Sequence, residues 1–482
     1  MRPTINILEK ELKEKVVLEA MEILEEIGFF VENEEAIELL QNEGISIDLE
    51  TRRAKISPDM VKRALKTAPS SVPLYNREGE LVVRLEGDNI CFDPGSAALN
   101  VLDPETNEIR SAVTKDFVNF TKVVDQLENI YAQSTSIICS DVPEEIGDRY
   151  RLLIALIFSQ KPVVTGTFAK ESFEVMKDML VAIRGSEEEL RRKPLAIFDA
   201  CPSPPLKWSD LTCQSIIDAA KYGIPSEFVS MPMTGANAPI TILGSVVQHA
   251  AETLAGVVIT QLVSPGAPII WGGSPAVFDL RKATTPMGSI DTMLLDLGYV
   301  EIGKYLNLPT HAYLGLSDTK ILDMQSGLES GMGALLAGIK GVNMISGAGM
   351  IDFETTQSIQ KVVIDNQICG MIHRFNKGIV QRDEPIAKNL LIDLEEKTHL
   401  LSHDHTLKWF REEQYIPNKI IDRSTNEEWI NKGRKSVNQR ATEEVDKLLK
   451  EYSGVSLDTD KITSLKNIMS YKGIDFHKLL DL

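Results

Sequence analysis

The run APIIWGG at residues 267–273 decides the fold once it is set beside PTHAYLG at 309–315 and GVNMISGAG at 341–349. Each is a short β-rich stretch that runs into glycine and is followed by apolar residues at helical spacing, the trace left by strands alternating with crossover helices. The same unit recurs toward the N-terminus at PSEFVSMP (225–232), LAIFDA (195–200), PVVTGTF (162–168), IYAQSTSII (130–138) and NICF (89–92). Eight units over roughly 280 residues predict an α/β chain of the (β/α)8 TIM-barrel kind. A doubly wound sheet is the rival architecture. It usually carries G-x-G-x-x-G after its first strand, where this chain has DPGSAALN.

Outside this core the pattern is helical. Val16, Val17, Ala20, Ile23 and Leu24, then Ala36, Ile37 and Leu40, recur at helical spacing, and Ser57 followed by Pro58 reads as a helix start. These predict an N-terminal helical cap over 1–88, with the barrel over 89–380. After Lys377 the β pattern stops, which predicts a C-terminal helical extension over 381–482. Its residues Glu443, Val445, Leu448 and Leu449 suggest a charged helix that packs on the barrel or on a second subunit, so a homo-oligomer stays open.

Composition excludes several functions. The 482 residues carry 51 basic and 70 acidic side chains, a formal charge of -19, which repels phosphate backbones and anionic membranes. The five cysteines form no CxxC pair and, with no signal-peptide pattern at the N-terminus, fit a cytoplasmic chain. The longest apolar stretch, around Ala255 to Val263, falls short of the roughly 20 residues that span a bilayer. His399, His403 and His405 have metal-like spacing, but no fourth ligand is indicated and a structural cluster is the simpler reading, so no metal is expected. Cys201 has no nearby histidine and reads as buried and inert.

In barrel enzymes the chemistry sits at the C-terminal ends of the strands. Here those ends hold Phe92, Asp93, Ser134, Thr135, Thr167, Phe168, Asp199, Pro202, Met231, Met233, Trp271, Ser274, Tyr313, Asp318, Lys320, Met350, Phe353 and Glu354. Ring faces attract quaternary ammonium groups, each contact contributing roughly 0.5 to 2 kcal/mol, and carboxylates add Coulomb attraction. The bland alternative is that the rings merely close the core. The glycine-rich exits GGS (272–274), GLSD (315–318) and SGAGM (346–350) either permit unusual backbone or keep the surface low for a large partner.

The segments GTFAKESFEVMKDML (166–180), CPSPPL (201–206), GANAPITILGSVVQHAAETLAGVVITQLVSPGAPIIWGG (235–273), YLGLSDTKILDMQSGLE (313–329) and the tail HDHTLKWFREEQYIPNKIIDRSTNEEW (403–429) resemble the trimethylamine methyltransferase family. The resemblance implies a barrel presenting a methylated amine to Co(I) of a separate corrinoid protein. Members acting on trimethylamine carry pyrrolysine, whereas this chain has only standard residues. It is thus similar to the branch acting on quaternary amines such as glycine betaine, proline betaine, carnitine or γ-butyrobetaine.

On that reading Phe92, Phe168, Trp271, Tyr313 and Phe353 are expected as walls and Asp93 and Asp199 as countercharges. Asp318 and Glu354 are expected as the carboxylates at the catalytic centre, and His311, Lys320 or His373 as donors to a substrate carboxylate. The resemblance implies no permanently bound cofactor, since cobalamin arrives on the partner. The D-x-H-x-x-G signature of cobalamin carriers is approached only at Asp475 and His477, with Leu480 where glycine is needed. A noncatalytic betaine- or corrinoid-protein-binding barrel and a pyrrolysine-independent methylamine demethylase are the alternatives.

Overall fold

A computed structural model of the chain describes residues 2–393, 399–454 and 457–469. Each of the eight β-rich runs contains a strand: β1 Cys91–Phe92, β2 Gln133–Ser134, β3 Val163–Gly166, β4 Ala196–Ala200, β5 Ser226–Ser230, β6 Ile269–Gly273, β7 His311–Tyr313 and β8 Met344–Ser346. All neighbouring pairs are parallel. The ladders form two sheets, β2-β3-β4-β5-β6 and β7-β8-β1, so the strands do not make one continuous closed ladder. Backbone hydrogen bonds nonetheless link the facing edges. Trp271 N donates to Pro309 O at 2.8 Å beside β7, and Tyr131 N donates to Phe92 O at 3.1 Å.

Side chains alternate across each strand, which sorts them between two packed regions. Cys91, Ala132, Val164, Ile197, Ile270 and Met344 gather into one small buried cluster inside the strands. Their neighbours Phe92, Phe198, Phe228 and Trp271 belong to the larger core shared with the helices. Among these helices, α1 is Lys10–Glu26, α2 Gly147–Phe158, α3 Ile242–Val263 and α4 Ile290–Tyr305. At 22 residues α3 is long and apolar enough to cross a membrane, longer than the apolar run suggests, yet most of it is buried. It packs against α1 and α4. Gly256 is needed there, because a Cβ would lie 2.4 Å from the Trp208 ring.

The N-terminal region holds short strands that the expected helical cap did not include. Three helices are present, but Phe29–Val31 pairs in parallel with Lys207–Trp208 and antiparallel with Arg53–Lys55, and Val72–Tyr75 forms a hairpin with Leu81–Leu85. Strands of three residues leave no periodic signal, and the partner of Phe30 N is Leu206 O, far away in sequence. The predicted helix start holds: Ser57 accepts from Met60 N ahead of helix Pro58–Thr67. Ser57→Ala should cost about 1 kcal/mol, read as a small fall in thermal midpoint with the helix content of the folded protein unchanged.

Toward the C-terminus helices dominate, and Val437–Glu451 packs on helices Ile359–Asn376 and Thr114–Asp125 of the same chain. His403 accepts from His405 N at the start of helix Asp404–Glu413, while His405 Nε2 lies 3.3 Å from Asp383 Oδ2. Asp475 and His477 lie outside the described residues.

Candidate active site

A cavity of about 360 Å³ opens at the C-terminal ends of the strands. Gly166 to Phe168 line it from β3, Asp199 to Cys201 from β4, Val229 and Met231 from β5, Ser274 from β6 and Tyr313 from β7; Glu354 follows β8, and Arg151 reaches in from α2. Phe168, Asp199, Tyr313 and Glu354 are therefore brought together as expected. Glu354 arrives by an unusual turn, since Asp352, Phe353 and Glu354 all have positive φ, 51°, 55° and 68°. Three consecutive non-glycine residues in that region store strain, which a rigid surround must hold. Burial pushes the Glu354 carboxyl up to about 8, although Ser274 Oγ donates to it at 3.3 Å.

Other expected residues lie elsewhere. Trp271 faces away from the cavity: it is fully buried, its Nε1 donates to Tyr299 O at 3.0 Å, and its strand neighbour Ile270 takes the interior position. Phe92 is turned outward by the same alternation and meets His373 edge-on. His373 stacks on Tyr131 at 4.9 Å and bonds Asn129 O, so it is no donor to the cavity.

Asp318, Lys320 and Phe353 line a separate groove with Phe278, Leu280 and Arg281. Asp318 accepts from Met287 N and Gly288 N at 2.9 and 3.0 Å, so it pins that loop; burial pushes its carboxyl up to about 6. Lys320 Nζ sits 3.7 Å from the centre of the Phe353 ring, so that face already holds a cation. Nor do the strand-six glycines smooth a docking surface. A Cβ on Gly272 would meet His311 Nδ1 at 2.9 Å, and one on Gly273 would meet His249 Nε2 at 2.6 Å.

Beneath the cavity lies a buried polar layer that contains Asp93 and His311. Ser346 Oγ donates to Asp93 Oδ2 at 2.5 Å and meets His311 Nε2 at 2.9 Å, and His311 Nδ1 is 3.0 Å from Glu227 Oε1. Burial pushes Asp93 up to about 7 and His311 down to about 3, so the imidazole is neutral. Cys201, expected to be buried, is exposed on the cavity wall. Although the residue has exposed surface, its thiol sulfur is shielded from solvent, and that desolvation, with Asp199 and Glu227 behind it, pushes the thiol up to about 12, so it is a poor nucleophile.

Two functional candidates escaped the sequence reading. Arg151 is buried, with Nη1 donating to Thr135 O at 2.6 Å and its guanidinium 4.5 Å from the centre of the Phe168 ring. Among the described residues no carboxylate lies within ion-pair distance of it, a costly state for a buried cation that an anionic ligand group would relieve. The signal was a charge inside the apolar run RLLIALIF (151–158). Glu227, in PSEFVSMP, was likewise visible as a carboxylate at an inward strand position. Among the described residues no group of three His, Cys, Asp or Glu could hold a metal ion. The arrangement suits binding and orienting a cation that also carries a negative group.

A family model described as trimethylamine methyltransferase matches residues 1–473. The chain is similar to trimethylamine methyltransferase MttB of Desulfitobacterium hafniense, 30% identical over 93% of this chain and 90% of that protein. The MttB of Methanosarcina barkeri strain Fusaro is 32% identical over 93% and 91%. A glycine betaine methyltransferase of Desulfitobacterium hafniense strain Y51 is 28% identical over 98% of both chains. Among solved structures, the monomethylamine methyltransferase of Methanosarcina barkeri superposes with a TM-score of 0.55 at 12% identity, over 93% of this chain and 89% of that one, a likeness of fold.

Proposed function

Because this chain belongs to the trimethylamine methyltransferase family, we propose that it moves a methyl group from a small quaternary amine held in the cavity to Co(I) of a separate corrinoid protein. The observation that carries this reading is the cavity wall itself, where the Tyr313 ring and the Asp199 and Glu354 carboxylates converge. A quaternary nitrogen leaves as a neutral tertiary amine, so the site needs no nucleophile and no general base. Its work is to hold the methyl group toward the mouth and to exclude water. Co(I), when the partner presents it, supplies the nucleophile.

Arg151 extends the reading to betaines, the quaternary amines that carry a carboxylate. Its guanidinium gives that carboxylate a buried partner, the role expected earlier of His311, Lys320 or His373. Phe168 and Met231 at the mouth, with Ile240, Leu280 and Ile321 on loops that follow strands β5, β6 and β7, expose apolar surface, which supports docking of a protein partner. We read the two parallel sheets as one (β/α)8 barrel over 89–380, flanked by the regions 1–88 and 381–482. The chain order of the strands and the hydrogen bonds at both sheet edges support this. All five cysteines are free thiols, in keeping with a reducing cytoplasm.

The test mixes the protein with a reduced corrinoid protein and, in turn, glycine betaine, proline betaine, carnitine and γ-butyrobetaine. At least one should convert the Co(I) spectrum to that of methyl-Co(III). A Co(I) spectrum that persists with all of them, while a control methyltransferase alkylates the same corrinoid, overturns the proposal.

A further inference from the structure

The floor of the cavity holds more acid than a cation site requires. Asp199 and Glu227 are register partners on the adjacent parallel strands β4 and β5, so their carboxyl groups stand side by side on one face of the sheet. An ionised carboxylate can only accept hydrogen bonds, and two like charges side by side in a buried layer repel, so a proton carried by one of the pair relieves both. Neighbouring donors do not replace it. Among the described residues no amide or hydroxyl donates to Glu227, and the nitrogen nearest its Oε1 is His311 Nδ1 at 3.0 Å. His311 is engaged on its other side by Ser346, which bonds Asp93, so a contiguous set of polar contacts runs from Asp93 to Glu227, whose strand neighbour Asp199 lines the cavity.

We propose that Asp199 and Glu227 share a proton in the empty site and that a bound quaternary cation displaces it to solvent. The inference rests on the cavity being a quaternary-amine site. The exchange balances in charge: the carboxyl O–H breaks, its proton passes to buffer, and the carboxylate left behind pairs with the ammonium. A quaternary nitrogen has no proton of its own to give or share, so the proton that leaves is the protein's.

The surroundings fit this exchange. The groups around Asp199 are Asp93 from β1, Glu227 from β5, His311 and Tyr313 from β7, Cys201 just after β4, Glu354 across the cavity and Arg151 from α2. Burial first, then Asp93 at Asp199 and both Asp199 and Asp93 at Glu227, push the two carboxyls well above the usual carboxylate range, while Arg151 opposes the shift at Asp199. An entering cation reverses the balance by placing positive charge against the same oxygens. Glu227, His311, Ser346 and Asp93 act through Asp199 and are positioning residues.

Titration calorimetry of the wild-type protein tests the inference, with tetramethylammonium and glycine betaine as probes in buffers of different ionisation enthalpy at pH 7. The heats should show release of about half to one proton per bound cation, and affinity should rise by up to about tenfold per pH unit below the titration of the pair. Glu227→Gln, which keeps the shape but removes one acid, should abolish most of the release while tetramethylammonium still binds. Wild-type heats that do not depend on buffer, with binding intact, overturn this inference and leave the quaternary-amine reading standing. Failure of every quaternary amine to bind overturns both. The wild-type buffer series decides the matter even where the variant does not fold.

Discussion

Trp271→Ala is expected to destabilise the protein by about 3 to 5 kcal/mol, the cost of emptying a large aromatic site in a packed core. The indole is fully buried, its Nε1–H is satisfied by Tyr299 O, and a Cβ on Gly303 would fall 2.6 Å from the ring, so helix α4 approaches too closely to collapse into the gap. Chemical denaturation should show a large fall in the midpoint. At a temperature where the variant is folded, its KM for a betaine should stay within a few-fold of wild type. Unchanged stability with a raised KM would instead return Trp271 to the wall of the cavity, where the sequence had placed it. Phe168 offers the contrasting case, being half-exposed at the mouth.

The largest effect on turnover is expected from Arg151→Met. Removing one partner of a buried charge pair costs roughly 2 to 5 kcal/mol, so kcat/KM for a betaine should fall by about 30-fold or more. Choline keeps the trimethylammonium head and lacks the carboxylate, and whatever affinity or transfer it shows should change by only about threefold, since it offers the guanidinium no anionic partner to lose. Circular dichroism should confirm a folded variant, because Arg151 also donates to Thr135 O and Gly147 O. An equal loss for betaine and choline would assign Arg151 to holding the loops in place and remove it from substrate recognition.

These two residues mark how far a linear reading reaches. Trp271 was expected as a wall of the site from its place at a strand end, and Arg151 passed unnoticed inside a helix. In space their roles are exchanged. The carboxylates fared better: Asp199 and Glu354 were named and do meet at the cavity, whereas Asp318 was drawn into holding the amides of Met287 and Gly288. Asp93 and His311 were named as ligands and lie one layer below, where they join Ser346 and Glu227.

By itself the sequence determined the eight strand positions, their order with intervening helices, and the family, because strand runs, turn glycines and long segment matches are local in the chain. Which face each strand turns inward was decided only by the tertiary structure. Parallel strands are buried on both sides, so Ile270 and Trp271, or Cys91 and Phe92, are equally apolar neighbours and hydrophobicity cannot say which looks into the cavity. The same holds for partners far apart in sequence, such as Phe30 with Leu206 and Asp93 with Ser346, whose bonds exist only after the chain has closed on itself. The opening run APIIWGG carries both lessons: it declares a strand, and its tryptophan points the other way.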